Sequence, residues 1–328
     1  MKKSNSLFIF TLILSTMITI SSNNWISMWM GLELNMMSFI PLILQKSNKS
    51  SSEAAMIYFL IQSMSSIVLL MMVVISLMKL SIYKEIINYM ITICILMKLG
   101  AAPFHKWMPE VMSKMKWINC FLLMTWQKMA PLMMISNLNN SNILINLSII
   151  WSVGVGCLGG INTSSLRKLM AYSSINHLGW MLAIIKSINL WMVYWIIYSM
   201  ITMMICFTMN SYNFFFLNQV TASNMINTEK INLFILMLSM GGLPPFIGFL
   251  PKWITIQMMI SCKEFIMIFI MIMFSLVTLM FYMRIMINMF LLSNSENKWK
   301  FNNYKKYSTV MFMMTNFSLP IILIMDTF

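Results

Sequence analysis

The sequence predicts an all-α integral membrane protein. About eleven transmembrane helices form two inverted five-helix repeats, each with a broken fourth helix, plus one C-terminal helix. Three observations predict this. Of 328 residues, 59% are hydrophobic and only 9% charged, against about 25% charged in a soluble domain, and the mean hydropathy is +0.79. The apolar residues gather in runs close to the ~20 needed to cross the hydrocarbon of a bilayer. Two runs, one in each half, carry the same glycine–proline–phenylalanine interruption.

The runs lie near 7–21, 25–44, 55–78, 86–111, 117–137, 142–158, 169–185, 190–210, 231–260, 264–290 and 308–325. Hydrocarbon offers no partner to a backbone N–H or C=O, so each run should be helical. The runs are continuous rather than alternating, which excludes a barrel. The first run follows Lys2 and Lys3 and mimics a signal peptide. No small-residue cleavage site follows and a second run begins at once, so it reads as a retained helix. No polar stretch is long enough for a soluble domain. The chain is therefore one membrane domain, 1–328, with a first repeat over 7–137, a second over 142–290 and a C-terminal helix over 308–325.

Charge tests the span count. With eleven spans, Lys2, Lys3, Lys46, Lys49, Lys106, Lys114, Lys116, Arg167, Lys168, Lys230, Lys298, Lys300, Lys305 and Lys306 share one side. Only Lys79, Lys84, Lys186 and Lys263 take the other. Such a bias marks the insertion side, which should hold the N-terminus, with Phe328 opposite. The net charge of +14 is thus a topology signal. Nucleic acid is not an expected partner, because no basic patch interleaves with aromatics on a polar surface.

The fourth run contains Lys98-Leu99-Gly100-Ala101-Ala102-Pro103-Phe104. The ninth contains Gly241-Gly242-Leu243-Pro244-Pro245-Phe246, then Gly248, Pro251 and Lys252. Proline removes a backbone donor and glycine weakens helix, so both runs should break. Each is fourth in a group of five, and an odd repeat inverts the second copy. Paired interrupted helices in inverted halves point to a transport site.

Five charged residues fall well inside runs: Glu33, Lys98, Lys128, Lys252 and Arg284. Intramembrane charges cost about 2.5–3.5 kcal/mol each on insertion scales and are functional candidates by default. Glu33, central in the second run, can pair with Lys98 beside the first break. If the two can separate they form a proton switch; if not, they are a static salt bridge between helices. Lys128 has no carboxylate left to pair with, so it should sit near water and titrate. Lys252 follows the second break, either in a hydrated pocket or snorkelling outward. His177, with Ser173 and Ser174 on its face, is either a relay or a hydrogen-bonded packing residue. Arg284 lies near the end of its run and should snorkel to the surface. The halves align, with Glu33 and His177 on second helices, Lys98 and Lys252 at breaks, and Lys128 and Arg284 on fifth helices. Together they would form a polar line across the bundle.

The sequence has no GxGxxG after a strand, P-loop, HExxH or CxxCH. Cys94, Cys120, Cys157, Cys206 and Cys262 make no CxxC pair and read as small hydrophobes. The 43 methionines show no clustering beyond composition. They accompany a skew toward A/T-rich codons that is similar to organelle-encoded proteins. His105 and Glu110 read as interfacial anchors. No cofactor or metal site is expected on this chain.

Several segments carry a resemblance. They are Gly31-Leu32-Glu33-Leu34-Asn35-Met36, Met97-Lys98-Leu99-Gly100-Ala101-Ala102-Pro103-Phe104-His105, Thr125-Trp126-Gln127-Lys128-Met129-Ala130-Pro131, Arg167 through Met181, and Gly241-Gly242-Leu243-Pro244-Pro245-Phe246 through Lys252-Trp253. In order over positions 25 to 253, they resemble the subunit 2 family of mitochondrial NADH dehydrogenase, an antiporter-like part of respiratory complex I. The resemblance implies eleven spans in the mitochondrial inner membrane, with the N-terminus in the matrix and the C-terminus in the intermembrane space. It implies a central proton path at Glu33, Lys98, Lys128 and Lys252, to which the residue reading adds His177. The partners it implies are other complex I membrane subunits, including further antiporter-like ones, with lipids, protons and water. NADH, FMN, iron–sulfur clusters and ubiquinone would be handled elsewhere in the complex, so this chain would be part of an enzyme without redox catalysis of its own. Two other readings are a stand-alone cation/proton antiporter and a structural membrane subunit that does not pump.

Overall fold

A computed structural model describes residues 3–45, 48–78, 84–138, 142–221, 227–291 and 312–318. The fold is helical, with a single isolated bridge, Ser165 to Phe216, among the described residues. The helices are α1 (Lys3–Ser21), α2 (Trp25–Ile43), α3 (Lys49–Leu77), α4 (Lys84–Leu99), α5 (Trp107–Lys114), α6 (Trp117–Met124), α7 (Trp126–Ser136), α8 (Asn142–Ile161), α9 (Leu166–Ala183), α10 (Ile188–Tyr212), α11 (Leu217–Thr221), α12 (Asn227–Gly241), α13 (Phe249–Ser261) and α14 (Phe265–Leu291).

Ten of the predicted runs coincide with one helix or with a broken pair. The fourth run is α4 and α5, and the ninth is α12 and α13, both interrupted where glycine and proline were expected to interrupt them. The eleventh run and the 292–307 loop lie outside the described residues, apart from a helical turn at 312–316. Taken singly, five helical segments are long and apolar enough to cross a membrane: Trp25–Ile43, Lys49–Leu77, Ile143–Ile161, Ile188–Tyr212 and Phe265–Ile287. The broken runs fall short in length, and α9 is diluted by Arg167, Lys168 and its serines.

Three details depart from the sequence reading. Helix α3 starts at Lys49, six residues early, because Asn48 and Ser51 form a capping box across a polar stretch. The fifth run is not continuous. It breaks at Thr125 (φ −112°, ψ −70°), where the indole of Trp195 donates to the Thr125 carbonyl at 2.9 Å. Pro131 contributes, since its ring crowds the Gln127 carbonyl and supplies no amide for it. A short helix, α11, also follows α10.

Two polar contacts tie loop segments together. Lys114 bonds Glu53 at 2.9 Å, and the Arg167 guanidinium donates to the Met115 carbonyl at 2.5 Å. These link three segments assigned to one side. The Lys114 ammonium also holds the exposed Glu53 carboxyl below the usual range. The outer faces of α3 (Met56, Phe59, Leu60, Met64, Ile67, Met71) and α14 (Phe265, Ile266, Phe269, Met273, Leu276, Met280) expose large apolar side chains at helical spacing, as surfaces facing lipid or a neighbouring subunit do.

Candidate functional site

The two breaks use one backbone solution. Helix α4 ends on Gly100 at φ +69° and α12 on Gly242 at φ +78°, a left-handed conformation that glycine adopts without a Cβ penalty. The next amide reaches back five residues in both, from Ala101 to the Leu96 carbonyl at 3.1 Å and from Leu243 to the Leu238 carbonyl at 3.3 Å. A turn then closes from Phe104 to Ala101 at 2.8 Å, and from Phe246 to Leu243 at 3.1 Å. Stopping a helix orphans its last carbonyls, and polar side chains collect there. Gln62 donates to the Lys98 carbonyl at 3.2 Å. Lys252 donates to the Gly241 carbonyl at 2.6 Å. Lys98 itself lies in the last turn of α4. Each break therefore holds a lysine at the negative end of a half-helix.

Lys98 is 5% exposed, and its Nζ lies 3.9 Å from Glu33 Oε1. A charge-assisted hydrogen bond spans about 2.7–2.9 Å, so this is an ion pair held apart by roughly the difference. Glu33 Oε1 is buried and has no hydrogen-bond partner among the described residues.

Lys98 and Lys128 line one cavity of about 20 Å³, together with Asn35, Tyr58, Gln62 and Gln127. A single water needs about 10–15 Å³. The side chains form a chain of their own, in which Tyr58 donates to Gln127 at 3.1 Å and Gln127 to Asn35 at 2.9 Å. Gln127→Leu is expected to strand the Asn35 and Tyr58 groups and to cost about 1–3 kcal/mol. Thermal unfolding of the assembled complex checks it, and an unchanged midpoint would show that the chain is dispensable.

Lys128 is 2% exposed. Its ammonium donates to the Ser174 carbonyl at 2.9 Å and lies 5.6 Å from the Tyr198 ring centroid. It occupies the first turn of α7, where the helix dipole opposes a cation. Tyr198 also packs on His177, with ring centroids 5.0 Å apart. His177 Nδ1 hydrogen-bonds the Tyr194 hydroxyl at 2.8 Å. Lys252 is 4% exposed and turns inward to the break, with its Nζ 5.6 Å from the Trp180 ring. It does not snorkel.

The structure sets Glu33 beside Lys98, places Lys98 and Lys128 on one cavity, packs Lys128 and His177 on the same Tyr198 ring, and leaves Lys252 at the second break against Gly241 and Trp180. Arg284 does not join them. Its guanidinium bonds the Ile161 and Thr163 carbonyls at the C-terminal end of α8, where a cation suits the helix dipole. Sequence reasoning missed Asn35, Tyr58, Gln62, Gln127, Tyr194 and Tyr198. Asn35 and Gln127 were flagged only by lying beside Glu33 and Lys128. The others are polar groups in apolar runs whose partners lie far away in sequence. His105 is partly exposed, with Nδ1 3.2 Å from the Pro103 carbonyl, and Glu110 is exposed. Cys94, Cys120, Cys157 and Cys206 are buried apart, and Cys262 is exposed, against expectation. Among the described residues no three His, Cys, Asp or Glu side chains group to hold a metal.

Known proteins resemble this chain in sequence and in fold. Residues 22–278 match the family described as NADH:quinone oxidoreductase/Mrp antiporter, transmembrane. NADH-ubiquinone oxidoreductase chain 2 of Anopheles gambiae is 43% identical, over 97% of this chain and 95% of its own length. The chain belongs to the NADH-ubiquinone oxidoreductase chain 2 family. Among solved structures, respiratory complex I from Thermus thermophilus contains a chain that superposes with TM-score 0.82 at 18% identity, over 95% of this chain and 76% of that one. The Mrp complex from Dietzia contains one at TM-score 0.77 and 14% identity, over 86% and 60%. The chain 2 family therefore shares its helical fold with antiporter complexes.

In this family member the glycine at the second break is constrained twice. A Cβ on Gly242 would fall 2.7–2.9 Å from Lys252 Cδ, Nζ and Cε, at a left-handed φ. Gly242→Ala is expected to cost about 1–2 kcal/mol in backbone strain and to push Lys252 off the Gly241 carbonyl. Turnover measured per assembled complex should fall, and wild-type turnover at wild-type assembly would contradict that.

Proposed function

We propose that this chain is the proton-translocating, antiporter-like membrane subunit of mitochondrial complex I. It crosses the inner membrane about eleven times as two inverted five-helix repeats and a C-terminal helix, with its N-terminus in the matrix. One observation supports the reading: Glu33 meets Lys98, Lys98 shares a polar cavity with Lys128, Lys128 and His177 pack on one tyrosine ring, and Lys252 reaches back to the end of the second broken helix. The loose Glu33–Lys98 pair acts as the coupling switch. When Glu33 gains a proton or loses the ammonium, Lys98 is free to pass a proton toward the cavity shared with Lys128. Lys128 relays through His177, and Lys252 delivers to the exit. Burial of a charge without full pairing is costly, so the proton moves when a neighbour's charge changes. Electron transfer, with NADH, flavin, iron–sulfur clusters and ubiquinone, takes place in other subunits. This chain contributes to the enzyme by moving protons.

The test is proton uptake by the assembled complex in sealed vesicles during NADH oxidation. Glu33→Gln and Lys98→Met should each lower uptake at least several-fold while the complex still assembles. If the buried charges only hold helices in register, these variants will impair assembly and leave uptake per complex unchanged. If the chain is a stand-alone antiporter, the purified subunit in vesicles will exchange cations for protons by itself.

A further inference from the structure

At the positively charged end of the bundle lies a second cavity, of about 300 Å³. It is separate from the ionisable line. Lys114, Lys116 and Arg167 line it, with Asn48, Ser50, Ser51, Asn210 and Asn213 as neutral polar groups. Among the described residues no carboxylate lines it. Glu53 bonds Lys114 at 2.9 Å, outside the residues that line the cavity. The cavity opens beside the first turn of the 29-residue helix α3, where Asn48 and Ser51 cap the leading amides.

The walls are built, not incidental. Arg167 is fixed by its bond to the Met115 carbonyl and by the Phe215 ring, 4.7 Å from its guanidinium carbon. Its Nε is buried with no hydrogen-bond partner. The Leu166 amide bonds the Phe215 carbonyl at 2.9 Å, and the Leu217 amide the Ser164 carbonyl at 3.1 Å. The Trp117 indole holds the Phe214 carbonyl at 2.9 Å. Below the cations, Ile43, Met115, Trp117 and Phe215 form an apolar wall.

We infer that this cavity binds the phosphate of an anionic phospholipid headgroup. Its cations sit where α2 and α10 end and α3 and α9 begin, which is headgroup level for membrane helices. Basic pockets of this kind between helices, on the positive side, recognise anionic lipid heads. The apolar wall suits the first carbons of an acyl chain, which free phosphate lacks.

The test is amine-reactive labelling of the assembled complex, read residue by residue by mass spectrometry. Delipidated complex is placed in phosphatidylcholine vesicles, in vesicles with added cardiolipin, or in phosphatidylcholine with inorganic phosphate. Cardiolipin should slow labelling of Lys114 and Lys116 several-fold while exposed Lys106 and Lys168 change little. Arg167→Gln should abolish the protection. Should that variant fail to assemble, Lys116→Gln should weaken the protection at Lys114. Equal labelling in all vesicles would overturn the inference. So would protection by inorganic phosphate alone, or protection spread equally over Lys106 and Lys168.

Discussion

Replacing Lys128 with methionine is expected to leave an assembled complex that oxidises NADH with proton uptake reduced tenfold or more. Loss of a positioned proton carrier costs about 10²–10⁴-fold in rate where the transfer limits turnover. Two features make this substitution informative. Methionine matches the length of the lysine stem and is at home against Tyr198, so packing survives. Ser174 lies inside α9 and its carbonyl keeps the helical amide four residues on, so no acceptor is stranded. Because no carboxylate among the described residues forms an ion pair with Lys128, its removal leaves no buried anion behind. Normal uptake by a fully assembled Lys128→Met complex would defeat the relay assignment. A lysine that only cemented α7 to α9 would show the opposite pattern, poor assembly with normal uptake per complex.

The second large effect is structural. A Cβ on Gly248 would lie 1.7 Å from the Ser239 carbonyl oxygen and 2.6 Å from its carbon. Both are backbone atoms, so no rotamer change relieves the clash. Gly248→Ala must force the start of α13 away from α12, just where Lys252 reaches back to the Gly241 carbonyl. Overpacking typically costs about 1–3 kcal/mol and sometimes more, and a loss of 1–2 kcal/mol can change abundance several-fold. The expected result is several-fold less assembled complex on native gels. Gly154→Ala is the control, since its Cβ would meet only the Phe274 ring at 3.5 Å, and it should assemble normally. Equal assembly of the two variants would show that the α12–α13 contact is not rigid.

Much of the site was legible because hydrocarbon penalises polar groups so heavily that each intramembrane charge announces itself. Glu33, Lys98, Lys128 and Lys252 stand out against apolar runs with no knowledge of their neighbours. The breaks at Gly100 and Gly242 were legible for a related reason, since proline and glycine act on the backbone locally. Aligning the halves by rank put Arg284 in the polar line, while its place near the end of its run pointed to the surface. Its rank matched Lys128, but the C-terminal carbonyls of α8 claim its guanidinium. The break at Thr125 was missed because its cause is shared between Pro131 and Trp195, which lies 70 residues away.

By itself the sequence determined ten of the helical runs, the two interruptions and the identity of the buried charges. Each follows from a one-residue cost, whether of desolvation, a lost amide or a left-handed φ. Only the tertiary structure decided which polar groups meet: the 3.9 Å gap between Glu33 and Lys98, the cavity joining Lys98 to Lys128, and the Ser174 carbonyl and Tyr198 ring that receive Lys128. Contacts between helices depend on how whole faces pack, and helical periodicity fixes a residue's face without fixing the face opposite it.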